Sequence, residues 1–122
     1  LITKSPTQMT AETRNKILQK LNLSPQQNVA FSYIGYHKLR HLYTNQETDF
    51  QPNQAIFLLT GIANPAPLKQ YLSAREVKIH TFEYPDHHRF TEKEIAQLVA
   101  AYEASEAAEK IILTTEKDAQ RL

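Results

Sequence analysis

The chain predicts an α/β fold: a mostly parallel sheet with helices on both faces, in a Rossmann-like three-layer arrangement. Three observations carry this. Residues 55–59, Ala-Ile-Phe-Leu-Leu, are a continuous apolar run of strand length, as expected of a central strand buried on both faces. Over residues 55–122 the order strand, loop, capped helix recurs three times. Right-handed crossovers then make those strands parallel and gather the loops at their carboxyl ends along one edge.

The elements follow in order. Residues 1–4 resemble the end of a buried strand. Thr10 is a good N-cap for an amphipathic helix over 11–22, with Ile17, Leu18 and Leu21 facing inward. The Ser24-Pro25-Gln26-Gln27-Asn28 cluster predicts a loop. Residues 29–36 are rich in β-branched and aromatic side chains and predict a strand, with 37–43 as its extension or hairpin partner. Residues 45–53 are polar, contain Pro52 and predict a loop.

After the 55–59 strand, Asn64 caps a helix with Pro65 at its first position, where a missing N–H costs nothing. Leu68, Tyr71 and Leu72 continue at helical spacing. Residues 76–82 predict a strand with Val77 and Ile79 on one face and Lys78 and His80 on the other. Thr91-Glu92-Lys93-Glu94 is a capping box, Phe90 and Ile95 are placed as a hydrophobic staple, and Leu98, Val99 and Tyr102 extend the apolar stripe. Residues 110–113 form the last strand. Thr115 and Asp118 offer a second capping box for a final helix.

A length of 122 residues fits one domain, and 41% apolar with 22% charged residues is a globular composition. No apolar run approaches the length of a membrane span. Cysteine is absent, which excludes disulfides and thiolate metal sites and fits a reducing compartment. A net charge of +1 does not suggest nucleic acid as the main partner. The opening on Leu1 without methionine, and an end at Arg121-Leu122 inside the expected helix, predict a single α/β domain over 1–122 cut from a larger protein.

Three loops should meet at the sheet edge: residues 60–64, 84–89 and 114–118. The middle one carries Pro85-Asp86-His87-His88. A carboxylate beside an imidazole can fix its tautomer and raise its basicity, so Asp86 and His87 are the candidate catalytic pair, His87 being favoured over His88 because adjacent histidines cannot easily face one ligand; the plain alternative is that Asp86 ends the strand and His88 is a solvated loop residue. Thr114, Thr115, Lys117 and Asp118 are candidates for phosphate contact through a helix N-terminus and an ammonium, against simple capping with Lys117 in solvent. Asn64 is a helix cap first and a substrate contact second. A metal would draw on His80, Asp86, His87 and His88, but the set lacks helical ligand spacing and no metal site is assigned.

Together Ile2-Thr3-Lys4-Ser5-Pro6, Gly61-Ile62-Ala63-Asn64-Pro65, Pro85-Asp86-His87-His88 and Thr114-Thr115-Glu116-Lys117-Asp118 resemble, in order and spacing, the carboxyl-terminal portion of the tetraacyldisaccharide 4'-kinase family. The resemblance implies transfer of the γ-phosphate of ATP, with Mg²⁺, to the 4'-hydroxyl of a tetraacylated disaccharide phosphate in lipid A biosynthesis. It implies a P-loop lobe as companion, and peripheral work at the cytoplasmic face of the inner membrane. It implies that His87 supports a catalytic carboxylate in the amino-terminal lobe while Asp86 holds the ring. The family's Walker A loop, its Mg²⁺-binding aspartates and its membrane-associating region are not found within these 122 residues. The isolated chain is therefore expected to be inactive and to bind ATP weakly. Two rival readings are a metal-dependent phosphoesterase of the Asp-His-His type, which needs further aspartates on neighbouring strands, and a non-catalytic α/β interaction module.

Overall fold

A computed structural model of the chain describes residues 1–5 and 8–122; Pro6, the last residue of the first motif, lies outside the described residues. The chain divides into two compact units, Leu1–His37 and Lys38–Leu122.

The first unit is built on helix α1 (Ala11–Leu21), with Thr10 accepting the Thr13 N–H and Asn22 closing the helix in the left-handed conformation. Thr10 thus caps as predicted. The inward face is thinner than its pattern suggests: Ile17 and Leu18 are half-buried and Leu21 is exposed. The strand expected over 29–36 does not form. That stretch makes one isolated parallel bridge, Phe31 to Ile2, with N–H groups of Ile2 and Ser5 donating to Ala30 and Ser32. Residues 1–4 are not a buried strand end either, since Leu1 is 83% exposed. A β-prone sequence without a row of partners has nowhere to place its backbone groups except water.

The second unit opens with a minimal antiparallel hairpin, β1 (Leu39–Arg40) paired with β2 (Glu47–Thr48). The 37–43 segment therefore does enter a hairpin, but its partner lies in the stretch expected to be loop. The sheet proper has three parallel strands: β3 (Ala55–Thr60), β4 (Lys78–Glu83) and β5 (Lys110–Thr114), in the order β4-β3-β5. Every residue of β3 is buried, as its apolar run requires.

Helix α2 (Ala66–Ser73) links β3 to β4, and α3 (Glu92–Ala104) carries the chain from β4 back across β3 to β5. These crossovers run in opposite directions, so right-handedness puts the helices on opposite faces. Alternation along β3 agrees. Ala55, Phe57 and Leu59 pack with Leu98 of α3, flanked by Phe82, Tyr84, Phe90, Ile95 and Tyr102. Ile56 and Leu58 point the other way and are equally buried, and Leu68 and Leu72 are the buried residues of α2. The Lys110 ammonium donates to the carbonyls of Tyr102 and Ser105, supplying the cation that the last turn of α3 lacks. The last helix, α4 (Glu116–Ala119), is one turn closed by Gln120, so Arg121 lies beyond it rather than inside it. Among the described residues no helix is long and apolar enough to cross a membrane.

Candidate functional site

The three loops meet as the parallel topology demands. Gly61, directly after β3, is the common point. Its N–H donates to Asp118 Oδ2 at 3.0 Å, and its carbonyl accepts the His87 N–H at 3.2 Å and Arg121 Nη1 at 3.3 Å. A Cβ on Gly61 would stand 3.3 Å from Phe90 Cζ, 3.4 Å from Asp118 Oδ1 and 3.4 Å from the Pro85 carbonyl, so the absence of a side chain lets the loops close.

Asp86 and His87 lie at this carboxyl edge. Asp86 Oδ1 accepts the Lys117 ammonium at 3.0 Å and the His87 N–H at 3.1 Å, while its Oδ2 is 3.4 Å from His87 Nε2. The hydrogen bond from Lys117 holds the Asp86 carboxyl below the usual carboxylate range, aided by His87 and opposed by desolvation. His87 sits at φ 62°, left-handed backbone that a side chain rarely adopts, and its ring is 74% exposed. Its Nδ1 faces Arg121 Nη2 at 3.2 Å. That backbone is held by its surroundings, since the His87 N–H donates to the Gly61 carbonyl and to Asp86 Oδ1.

His88 is a different kind of residue. It is not the solvated loop residue of the plain alternative: it stacks on Tyr84 with ring centroids 4.7 Å apart and bonds Glu94 at 2.9 Å. Glu94 also accepts the Thr91 N–H at 2.8 Å, and Thr91 accepts the Glu94 N–H, so the predicted capping box is complete. The Thr91 N–H and then His88 hold the Glu94 carboxyl below its usual range. Burial, followed by the Glu94 charge, pushes the Tyr84 hydroxyl up.

The remaining candidates spread along the same edge. Helix α2 starts at Ala66 with Pro65 as its N-cap, so Asn64 lies one residue outside the expected cap position, although its side chain still accepts the Ala66 N–H at 3.2 Å. The Thr115 hydroxyl caps Asp118 N at 3.1 Å and donates to Asp118 Oδ2 at 2.9 Å. Lys117 pairs with Asp86 rather than standing free in solvent. The Thr114 hydroxyl is buried without a partner in the chain. His80 stacks flat on Phe57 in the middle of β4, away from the edge. Among the described residues no three of His, Asp and Glu are grouped to hold a metal ion. Of the other two aspartates, Asp49 pairs with Lys38, and Asp118 is sealed from solvent.

Residues 2–122 match the model of the family described as tetraacyldisaccharide-1-P 4'-kinase. The chain belongs to this family. A tetraacyldisaccharide 4'-kinase of Bacteroides thetaiotaomicron is 34% identical over 133 aligned positions, covering 100% of this chain and 35% of that protein. One from Flavobacterium johnsoniae is 33% identical over 100% of this chain and 34% of its own length. One from Cytophaga hutchinsonii is 43% identical over 57% of this chain and 19% of its own length. The chain thus spans about a third of the relatives it matches throughout. No solved structure matches it.

Beside Asp86 and His87 the structure places Arg121, whose Nη2 faces His87 Nδ1 and which the sequence pattern does not single out. Asp118, a phosphate contact or a helix cap by sequence, instead turns its carboxylate inward to Gly61 and Arg121. A local signal existed for the pair: Asp and Arg three apart can meet across one turn of chain, and here they bond at 3.3 Å although α4 ends before Arg121.

Proposed function

We propose that the chain is the carboxyl-terminal lobe of an ATP-dependent kinase that phosphorylates the 4'-hydroxyl of a tetraacyldisaccharide 1-phosphate, with His87 orienting a catalytic carboxylate supplied by the rest of the protein. On this reading the enzyme works at the cytoplasmic face of the inner membrane. The remaining two thirds supply the phosphate loop, the magnesium ligands, the membrane contact and most of the lipid-binding surface.

The residues present do not by themselves fit ATP with Mg²⁺. The sequence has two glycines, neither in a phosphate-cradling loop, and the acidic groups near His87 are already bonded within the chain. Phosphoryl transfer depends on positioning and charge stabilisation, most of which must come from elsewhere. Contact of Thr114, Thr115 and Lys117 with phosphate would require Lys117 to exchange Asp86 for the ligand.

What carries the reading is His87: an exposed imidazole in left-handed backbone, at the carboxyl edge of a parallel sheet, in a chain of this family. Its Nε2 is 3.4 Å from Asp86, too long for a strong hydrogen bond, and is open to an incoming carboxylate. In a complete protein carrying this segment, His87→Ala should lower kcat roughly 100-fold or more with the melting temperature little changed. Full activity of that variant would favour the interaction-module reading. The isolated 122 residues should transfer no phosphate from ATP, and measurable phosphorylation by them would overturn the two-lobe division of labour.

A further inference from the structure

Behind His87 stands a chain of charges anchored in the interior. Asp118 is 0% exposed. Its Oδ2 accepts from the Gly61 N–H and the Thr115 hydroxyl, which ties it to the end of β3 and the start of α4. Its Oδ1 takes Arg121 Nη1 at 3.3 Å, and the same nitrogen reaches the Gly61 carbonyl at 3.3 Å. The guanidinium is therefore fixed on one side by two acceptors, with its side chain only 20% exposed. The other side presents Nη2 to His87 Nδ1 at 3.2 Å.

A guanidinium can only donate. Nδ1 must then be the unprotonated, accepting nitrogen, and the ring proton sits on Nε2. We propose that Arg121, held by Asp118, is a positioning residue that locks the His87 ring as the Nε2–H tautomer, making it a hydrogen-bond donor toward the reacting centre. The inference rests on the kinase reading for its catalytic consequence, but the tautomer and the clamp belong to this chain alone. It accounts for two features otherwise unconnected. A carboxylate is buried at the sheet edge although α4, a single turn, needs no such anchor. An exposed ring is held at both nitrogens, by Arg121 at Nδ1 and loosely by Asp86 at Nε2.

Histidine ¹⁵N NMR on the 122-residue chain near neutral pH tests the clamp without any variant. Nδ1 should resonate as an imine nitrogen displaced by an accepted hydrogen bond, with the proton on Nε2; a proton on Nδ1 overturns the proposal. Arg121→Ala should return Nδ1 to the position of a free imine, and Arg121→Lys, which keeps the charge but loses the planar fork, should do so in part. An unmoved Nδ1 signal in a folded variant also overturns it. In a complete protein carrying this segment, Arg121→Lys should lower kcat roughly 10- to 100-fold with KM little changed. His87→Ala combined with Arg121→Lys should be no slower than His87→Ala alone. Additive losses overturn the positioning role. Full activity of His87→Ala sinks the catalytic reading instead, and the NMR result tells the two failures apart.

Discussion

A carboxylate removed from water must have its charge answered by the protein, and Asp118 shows how completely that can be done by a few groups from two loops. The local motif was legible: Thr115 three residues earlier accepts the Asp118 N–H, as a capping pair should. The other half of that box does not form, because the carboxylate turns inward to the Gly61 N–H, 57 residues away in sequence. No local pattern can show a partner at that distance; only the meeting of two loops at a sheet edge brings it near. The expectation for substitution follows from the burial. Asp118→Ala leaves the Gly61 N–H without an acceptor and the Arg121 guanidinium half-buried and unpaired, a loss of about 3 kcal/mol. Urea denaturation of the 122-residue chain checks it. A loss below about 1 kcal/mol, the size of an ordinary cap, would mean that the inward contacts contribute nothing beyond the helix turn.

At the scale of elements, what could be read from sequence divides by the range of the interactions involved. Helix α3 was legible because its start is local: Thr91, Glu94, Phe90 and Ile95 lie within six residues. Strand β3 was legible because its neighbours on both sides are forced by an unbroken apolar run. Residues 29–36 carry equally β-prone side chains but find one bridging partner, and β-propensity describes fit to a sheet that must already exist. The α3 start also makes a pH prediction. Glu94 is held below its ordinary value of 4.5 by the Thr91 N–H and His88, so its contribution is present above that value and lost as pH falls through the lowered one. Asp86, lowered by Lys117, acts in the same direction. Glu94→Gln keeps a side chain able to accept the Thr91 N–H but cannot titrate. Its melting temperature should start lower at neutral pH and fall less than that of the wild type on acidification below 4.5. Parallel curves for the two proteins would show that Glu94 is not a source of the acid sensitivity.

For the whole molecule, burial is concentrated in one of the two units. Among the described residues, every fully buried side chain lies between Gln54 and Asp118, and none lies in Leu1–His37. The site at the sheet edge is thus mounted on the densely packed part of the chain, and the parallel crossovers explain why its three loops meet there. Helix α1 is well capped yet has only the half-buried Ile17 and Leu18 on its apolar face. Helices of this length are marginal without a packed face, so α1 should open without global unfolding. Amide hydrogen exchange on the intact chain reads this directly. The N–H groups of β3 should exchange slowest, at the rate set by global unfolding, and those of α1 on the order of 100-fold faster or more. Denaturant should accelerate β3 exchange steeply and α1 exchange weakly, since opening α1 exposes little new surface. Equal protection of both elements, with equal denaturant dependence, would mean that residues 1–37 fold and unfold together with the sheet, and that their sparse burial understates how strongly they are held.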